Sequence, residues 1–480
     1  MRALPPPGLR LTRRAALGGM AAAALCRPAR AVTAPEALDA ILSRSKLGPV
    51  TGFAIADAGS GAVIEAWQAG QARPPASTIK VLTALYALDR LGPGHRFATR
   101  LAALGPVAGG RLDGDLALVG GADPLLDTDA LGDMAAAARA ALSEVTGRLL
   151  AVAAPPPELA EIEAGQPAAA AYNPAISGLN LNFNRVFLAW EPGKAGPALR
   201  LSAPGNRFEA TFPSIAAEVG GAGPPRLVLE AEREVWAFAP GSVAGRGSIW
   251  LPVRAPARYA GEAFRSLAAQ AGLALPAPEV GAAPAAGETL ARRESAPLGE
   301  MLVDMLKYST NLTAEVVGLA ATRAAGGDAS GLAASAAAMA AWARARYGLD
   351  GLALANHSGL TARSTIAPEA MARLLVAATP AGLPAMLKER PLHDAEGKPA
   401  ETPGVRVVAK TGTLDFVSAL AGYIEGPGER RRAFAILAAD LEARAAIPPE
   451  ALADPPGSDA FARRARAQEQ ALLRRWIALG

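Results

Sequence analysis

The order of its patterned segments restricts this chain more than any single motif does. The stretch VTGFAIADAGSGAVIEAWQAG (50–70) alternates as two strands joined at Gly59-Ser60-Gly61, an antiparallel hairpin. STIKVLTALYALDRL follows, with apolar residues at 79, 81, 82, 85, 86 and 88 and a Gly92-Pro93-Gly94 stop, which predicts a buried or half-buried helix. Strand patterning of comparable strength returns only near the far end, in VRVVAKTGTL, SALAGYIEG and RRRAFAILAAD, the last two turning at Gly426-Pro427-Gly428. From about 95 to 285 the texture differs. RLDGDLALVGG, GLNLNFNRVFLAW, ALRLSA, RLVLEAE and SIWLPV read as short strands between Gly/Pro turns, with helical patterning mainly at 130–145 and 257–271. Helical spacing resumes at 296–325, 329–347 and 365–379, the last with Pro368 in its first turn. This order predicts one discontinuous α/β (α+β) domain, built from 32–94 and 286–480, in which terminal strands pair with the early hairpin into an antiparallel sheet flanked by helices. Residues 95–285 would be a mostly-β insertion of one or two small domains.

The rest of the chain bounds what such a domain can do. A length of 480 residues with 51% hydrophobic residues accommodates two or three domains. The net charge of +4 comes from 48 basic and 44 acidic residues spread along the sequence, which argues against a nucleic-acid partner. Residues 1–31 read as an export signal. Arg13-Arg14 precede an apolar run from Ala15 to Leu25, too short to span a bilayer, and Ala29-Arg30-Ala31 resembles a cleavage site. The TRRAAL core is similar to a twin-arginine signal, with an ordinary secretory signal as the alternative. The only cysteine, Cys26, lies inside this segment, and Leu25 before it is wrong for a lipoprotein. A processed chain would carry neither disulfides nor thiolate sites, and no transmembrane segment. An exported protein of the periplasm or cell envelope is expected, of unspecified oligomeric state. The tail 458–479 is an amphipathic helix with Ser458 or Asp459 as a cap, its arginines read as a solvated face over a packed stripe.

Three short clusters carry chemistry. Ser77 and Lys80 stand three apart at a helix start, so the lysine amine can reach back to the serine hydroxyl. A serine is a nucleophile only beside a base, and a lysine is a base only when burial or a nearby cation lowers its pKa. A capping serine with a snorkelling lysine has the same spacing, and Ser43–Lys46 repeats the pattern at the end of the predicted helix 35–44. Ser309-Thr310-Asn311 can turn two polar side chains into one cleft if it lies between helices, or simply cap one. Lys410-Thr411-Gly412-Thr413 lies on a predicted strand, where Lys410 and Gly412 share a face. The missing side chain at Gly412 is read as an edge where a ligand backbone lies against the strand. Only seven lysines occur among the 48 basic residues, so two motif lysines are less easily accidental. With three histidines and no H-E-x-x-H, neither a metal site nor a cofactor is expected. Asp123 and Asn182 read as structural positions, and His357 is left without a role.

The order S-x-x-K, S-x-N, K-T-G resembles the penicillin-recognising serine enzymes. The long interval between the first two motifs is similar to the D-alanyl-D-alanine carboxypeptidase/endopeptidase family of low-molecular-mass class C penicillin-binding proteins (peptidase family S13). GDLALVGGADPLL, LNLNFNRV, HSGLTARSTIAPEAMARLL and KTGTLDFVSALAGYI add to that likeness, which runs from about 50 to 440. The resemblance implies a penicillin-binding transpeptidase/β-lactamase-like fold and peptidoglycan peptides and β-lactams as partners. It implies Ser77 as the acylated nucleophile, Lys80 as its base and Ser309 as a relay to the leaving D-alanine. Asn311 would bind the substrate amide and help orient Lys80. Lys410, Thr411, Gly412 and Thr413 would hold the terminal carboxylate, and the N–H groups of Ser77 and Thr413 would form an oxyanion hole. A serine β-lactamase is the alternative, which the long insertion disfavours, and a non-catalytic wall-binding relative is another.

Overall fold

Strand Thr51–Asp57 is buried along almost its whole length, so it needs cover on both faces and partners on both edges. The computed structural model, which describes residues 35–479 except 195, 231–232, 282–286, 401 and 429, supplies both. The strand pairs antiparallel with Val63–Trp67 on one side and with Arg431–Ala439 on the other. The sheet continues through Val417–Glu425 to Arg406–Leu414 at its edge. The early hairpin and the terminal strands therefore form one five-stranded antiparallel sheet, as the segment order predicts. Asp57 closes the hairpin by accepting the N–H groups of Gly59 and Ser60 at 3.1 and 2.8 Å.

Alternation along these strands sorts the side chains into two layers. Ala433, Ala435 and Leu437 face a large core shared with helices Lys80–Leu91, Leu298–Tyr308, Asn311–Ala324, Leu332–Tyr347 and Pro368–Ala378. Phe434 and Ile436 face the other way, against Phe53, Ile55 and the terminal helix Ser458–Ala478. Trp476 of that helix is fully buried, 5.7 Å from the ring of Phe53 and 5.8 Å from Phe434. Its indole N–H donates to Glu65 at 2.8 Å, and Arg475 donates to the same carboxylate. The arginines of this helix are thus divided, most lying outward and Arg475 clamping the outer strand of the sheet.

Residues 98–294 carry the remaining sheets and a second core, and make up the second body, although Ala122, Ile162 and Ile176 pack into the first core. A mixed sheet runs in the order Pro278–Gly281, Leu149–Ala153, Asp115–Gly120, Ala98–Leu104, Glu288–Glu294, with helices Thr128–Ala141 and Pro256–Gln270 against it. A four-stranded and a three-stranded sheet, with a minor ladder of two-residue strands, complete it. One continuous cluster of buried side chains, from Leu101 to Leu275, runs through them. Two details depart from the sequence reading. Strand Glu288–Glu294 belongs to this body, past residue 285, because its charged edge sequence ETLARRE shows little apolar alternation. Residues 178–184 are not strand. Asn182, Phe183 and Asn184 all take left-handed backbone, and the Asn184 amide stabilises the turn by donating to Ala175 O and Asn180 Oδ1. The export-signal reading falls on residues outside those described.

Trp476→Ala is expected to destabilise the sheet formed by the two chain ends by about 3–5 kcal/mol, chiefly through the cavity it leaves, since Glu65 keeps its bonds from Arg475. Urea unfolding followed by tryptophan-independent circular dichroism measures this, and Trp476→Phe should recover most of the packing loss.

Candidate active site

Ser77 lies on a 3-10 turn, Ala76–Ile79, that runs directly into helix Lys80–Leu91. The α-helical register expected at Ser77 therefore starts three residues later. Neither the turn nor the helix has a side-chain cap, and the Ser77 hydroxyl is engaged by Lys80 instead. Ala76 before Ser77 is held at φ 43°, a strained conformation for a residue with a side chain. Two segments press on it, Gly359, where a Cβ would meet Ala76 O at 2.0 Å, and the strand Arg406–Leu414. A Cβ at Gly412 would stand 2.8 Å from Pro75 O, and 2.9 Å from both Ala76 Cβ and Ser77 N. The face left bare at Gly412 is thus filled by the chain's own turn, while the strand itself forms the edge of the sheet. The lack of a side chain lets the serine turn press against the strand.

Lys80 is fully buried. Its Nζ is 2.9 Å from Ser77 Oγ, 2.7 Å from Asn311 Oδ1 and 2.7 Å from the carbonyl of Ser358. The last two oxygens can only accept, so they claim two N–H bonds of the amine. In the neutral amine the remaining direction is a lone pair facing the Ser77 hydroxyl. Burial, and then the cation of Lys410, hold the Lys80 amine well below the usual lysine range, opposed by Glu315. Glu315 is itself fully buried, which raises its carboxyl, while the N–H groups of His357 and Ser358 donate to it at 2.9 and 2.8 Å. By gripping these two residues it holds the Ser358 carbonyl toward Lys80.

Ser309 occupies the junction of helices Leu298–Tyr308 and Asn311–Ala324, in left-handed conformation at φ 60°. Thr310, the residue that starts the second helix, makes no side-chain cap. The cluster is therefore a turn that aims both Ser309 and Asn311 at the cleft. Lys410 Nζ donates to Ser309 Oγ at 2.9 Å and to the Thr411 carbonyl at 2.6 Å. Burial, then the charge of Arg390, bring Lys410 down to about 7. By contrast, the decoy pair Ser43 and Lys46 is exposed at the end of helix Leu38–Ser45, with Lys46 at its left-handed terminus.

Ser77, Ser309, Asn311 and Thr413 line one cavity of about 330 Å³, with Gln166, Tyr172, Leu360, Leu414, Asp415 and Arg444. Lys80, Lys410 and Gly412 lie behind that lining. Thr411 is not part of it and contributes its carbonyl to Lys410. Three groups that hold the site escaped the sequence reading. Glu315 was signalled, since it is four residues from Asn311 on one helix face and is a lone acid in an apolar run. Ser358 and Tyr172 act through backbone carbonyls, and no sequence pattern reports those. His357 is buried and kept neutral by burial, down to about 3, with Nε2 2.8 Å from Ser335 Oγ. Its ring packs against Gly318, where a Cβ would meet the imidazole at 2.2 Å. Asp123 caps the N–H of Leu125 and Asn182 ties Thr128 to Pro204, both away from this cavity. Among the described residues no group of three or more His, Cys, Asp and Glu is placed to hold a metal ion.

The chain is similar to known proteins along most of its length. Residues 34–451 match the model of the D-Ala-D-Ala carboxypeptidase 3 (S13) family. A D-alanyl-D-alanine carboxypeptidase of Actinomadura sp. (strain R39) is 30% identical over 465 residues, covering 88% of this chain and 84% of that protein. The fold is similar to penicillin binding protein 4 from Haemophilus influenzae, with a TM-score of 0.69 at 20% identity over 91% of this chain and 98% of that one. The same protein complexed with a β-lactam matches with a TM-score of 0.66. With the family model matched along most of its length and its three motifs gathered around one cavity, the chain belongs to the D-Ala-D-Ala carboxypeptidase S13 family.

Proposed function

We propose that this protein is a serine D-alanyl-D-alanine carboxypeptidase and/or D,D-endopeptidase that acts on peptidoglycan stem peptides through an ester at Ser77, and that penicillins acylate the same oxygen. The observation that carries this reading is the position of Lys80 Nζ, 2.9 Å from Ser77 Oγ with two obligate acceptors on its other sides. The neutral amine takes the Ser77 proton as Oγ attacks the carbonyl of the penultimate D-alanine. The oxyanion forms beside the N–H groups of Ser77 and Thr413, which the close approach at Gly412 brings together. The proton then passes through Ser309 to the departing amine, and water later cleaves the ester. Lys410 neutralises the terminal carboxylate from behind Ser309, with the Thr413 hydroxyl at the cavity wall. Its charge also helps keep Lys80 neutral.

Export to the periplasm or cell envelope, with a twin-arginine signal at residues 1–31, fits a wall peptide substrate. Support for it comes from the sequence of that segment. Among the described residues no helix is long and apolar enough to cross a membrane.

The intact mature protein exposed to penicillin should gain the mass of one penicillin, and Ser77→Ala should gain none; labelling that persists in Ser77→Ala would falsify the assignment. A long-lived adduct is expected, whereas rapid multiple turnover would instead favour the β-lactamase reading. The value of kcat/KM for a D-Ala-D-Ala peptide should be bell-shaped in pH. It rises as pH passes the depressed pKa of Lys80, because only the neutral amine accepts the proton. It falls as pH passes that of Lys410, at about 7 in the free enzyme, because neutral Lys410 no longer attracts the carboxylate. In kcat the alkaline limb should lie higher, since a bound carboxylate favours charged Lys410. A kcat/KM that climbs steadily through pH 9 contradicts these roles.

A further inference from the structure

The insertion supplies part of this site through one irregular loop. Leu159 and Ile176 exchange backbone hydrogen bonds at 2.9 and 2.8 Å, so residues 159–176 form a loop closed at its neck, with Ile162 and Ile176 packed into the core of the first body. A closed, compact loop of this kind is frequently functional. Its interior is organised by Asn173, whose side chain is fully buried. Asn173 Oδ1 accepts the N–H groups of Ile162 and Glu163 at 3.0 and 2.9 Å, and Nδ2 donates to Glu163 O and Glu161 Oε2. Arg254 ties the loop to its own body by donating to the carbonyls of Ala160, Asn173 and Ala168. Glu163 ties it to the first body, accepting from Thr361 Oγ1 at 3.0 Å and from Arg363 at 2.7 Å. That second anchor stands three residues from Ser358, whose carbonyl binds Lys80.

At the far side of the loop, the carbonyl of Tyr172 accepts Asn311 Nδ2 at 2.9 Å. This contact decides which way the Asn311 amide faces. A backbone carbonyl can only accept, so the NH₂ end must turn to Tyr172 and the oxygen end to Lys80. Were the amide reversed, its NH₂ would face the amine of Lys80. The amine would lose one obligate acceptor, and its lone pair would no longer be directed at Ser77. We propose that loop 159–176 is a positioning element of the acyl-transfer site, in which Asn173 and Arg254 hold the Tyr172 carbonyl so that it fixes the Asn311 amide toward Lys80. The insertion thereby takes part in setting the basicity of Lys80, although no side chain of the insertion touches that amine. The groups facing Lys80 are Ser77, Asn311 and Ser358 by contact, and Lys410 and Glu315 by charge. The loop acts through the second of these. This inference rests on Ser77 being acylated.

The test is rapid-mixing acylation by penicillin, with noncovalent binding and the acylation rate constant resolved from its concentration dependence and followed against pH. The proteins are the wild type, Asn173→Ala and Asn173→Asp. The aspartate keeps the acceptor for the N–H groups of Ile162 and Glu163 but turns an oxygen in place of a donor toward Glu161 and the Glu163 carbonyl. Asn173→Ala is expected to lower the acylation rate constant about 10- to 100-fold with binding nearly unchanged, the range for a displaced supporting group. The acidic limb of its pH profile should move to lower pH, because an ammonium that loses the Asn311 oxygen gives up its proton more easily. Asn173→Asp should recover part of the rate. Acylation of Asn173→Ala at the wild-type rate with an unmoved limb overturns the proposal. So does a loss that only mirrors a smaller folded fraction by circular dichroism, with the folded molecules reacting normally. A wild type that is not acylated at all refutes the serine-ester reading instead, so the two failures are separable.

Discussion

An amine excluded from water and surrounded by oxygens is the interaction on which the rest of the site depends. Lys80 is fully buried, and a charged ammonium there loses its hydration without a directly contacting carboxylate to replace it. Burial and the Lys410 cation both favour the neutral form, while buried Glu315 opposes them from behind. The balance leaves a base beside a hydroxyl, and the geometry of two fixed acceptors decides that the hydroxyl is the group it meets. Each surrounding feature can be understood as a support for that amine. Glu315 grips the backbone that offers Ser358 O, and Tyr172 fixes the amide that offers Asn311 Oδ1.

That arrangement requires segments far apart in the chain to meet with sub-ångström tolerance. The five-stranded sheet provides the frame, because pairing of Thr51–Asp57 with Arg431–Ala439 joins the two ends of the sequence. Gly412 then lets the serine turn approach the adjoining strand closely enough to hold Ala76 in a strained conformation. Strain of this sort persists only where packing over-determines it. The terminal helix covers the opposite face of the same sheet, so its anchor at Glu65, although distant from Ser77, stabilises the frame on which the site is built.

Much of this was legible in the chain itself. The hairpin at 50–70, the three terminal strands and the helices between 296 and 379 follow from apolar periodicity and turn residues, which act locally. The pairing of the ends followed from order, since strands with two buried faces need neighbours. The loop at 178–184 differs from the strand that the alternation of LNLNFN predicts, because its asparagines favour left-handed turns with side-chain bonds to the backbone. Strand 288–294 was missed because an exposed edge needs little apolar pattern. At Gly412 the sequence shows a missing side chain, and only the fold shows that the serine turn packs into the space.

Sequence by itself determined the chemical parts: two lysines, two serines and an asparagine in three clusters, and their family-like order. Residue types and short-range spacing are covalent facts, so they need no fold to be read. Only the tertiary structure decided which serine-lysine pair is buried, since Ser43–Lys46 has the same spacing and lies in water. It also decided which way the Asn311 amide faces and which carbonyls hold Lys80. Those contacts are made by backbone groups that every residue carries, and their direction is set by packing between distant segments rather than by the identity of any one residue.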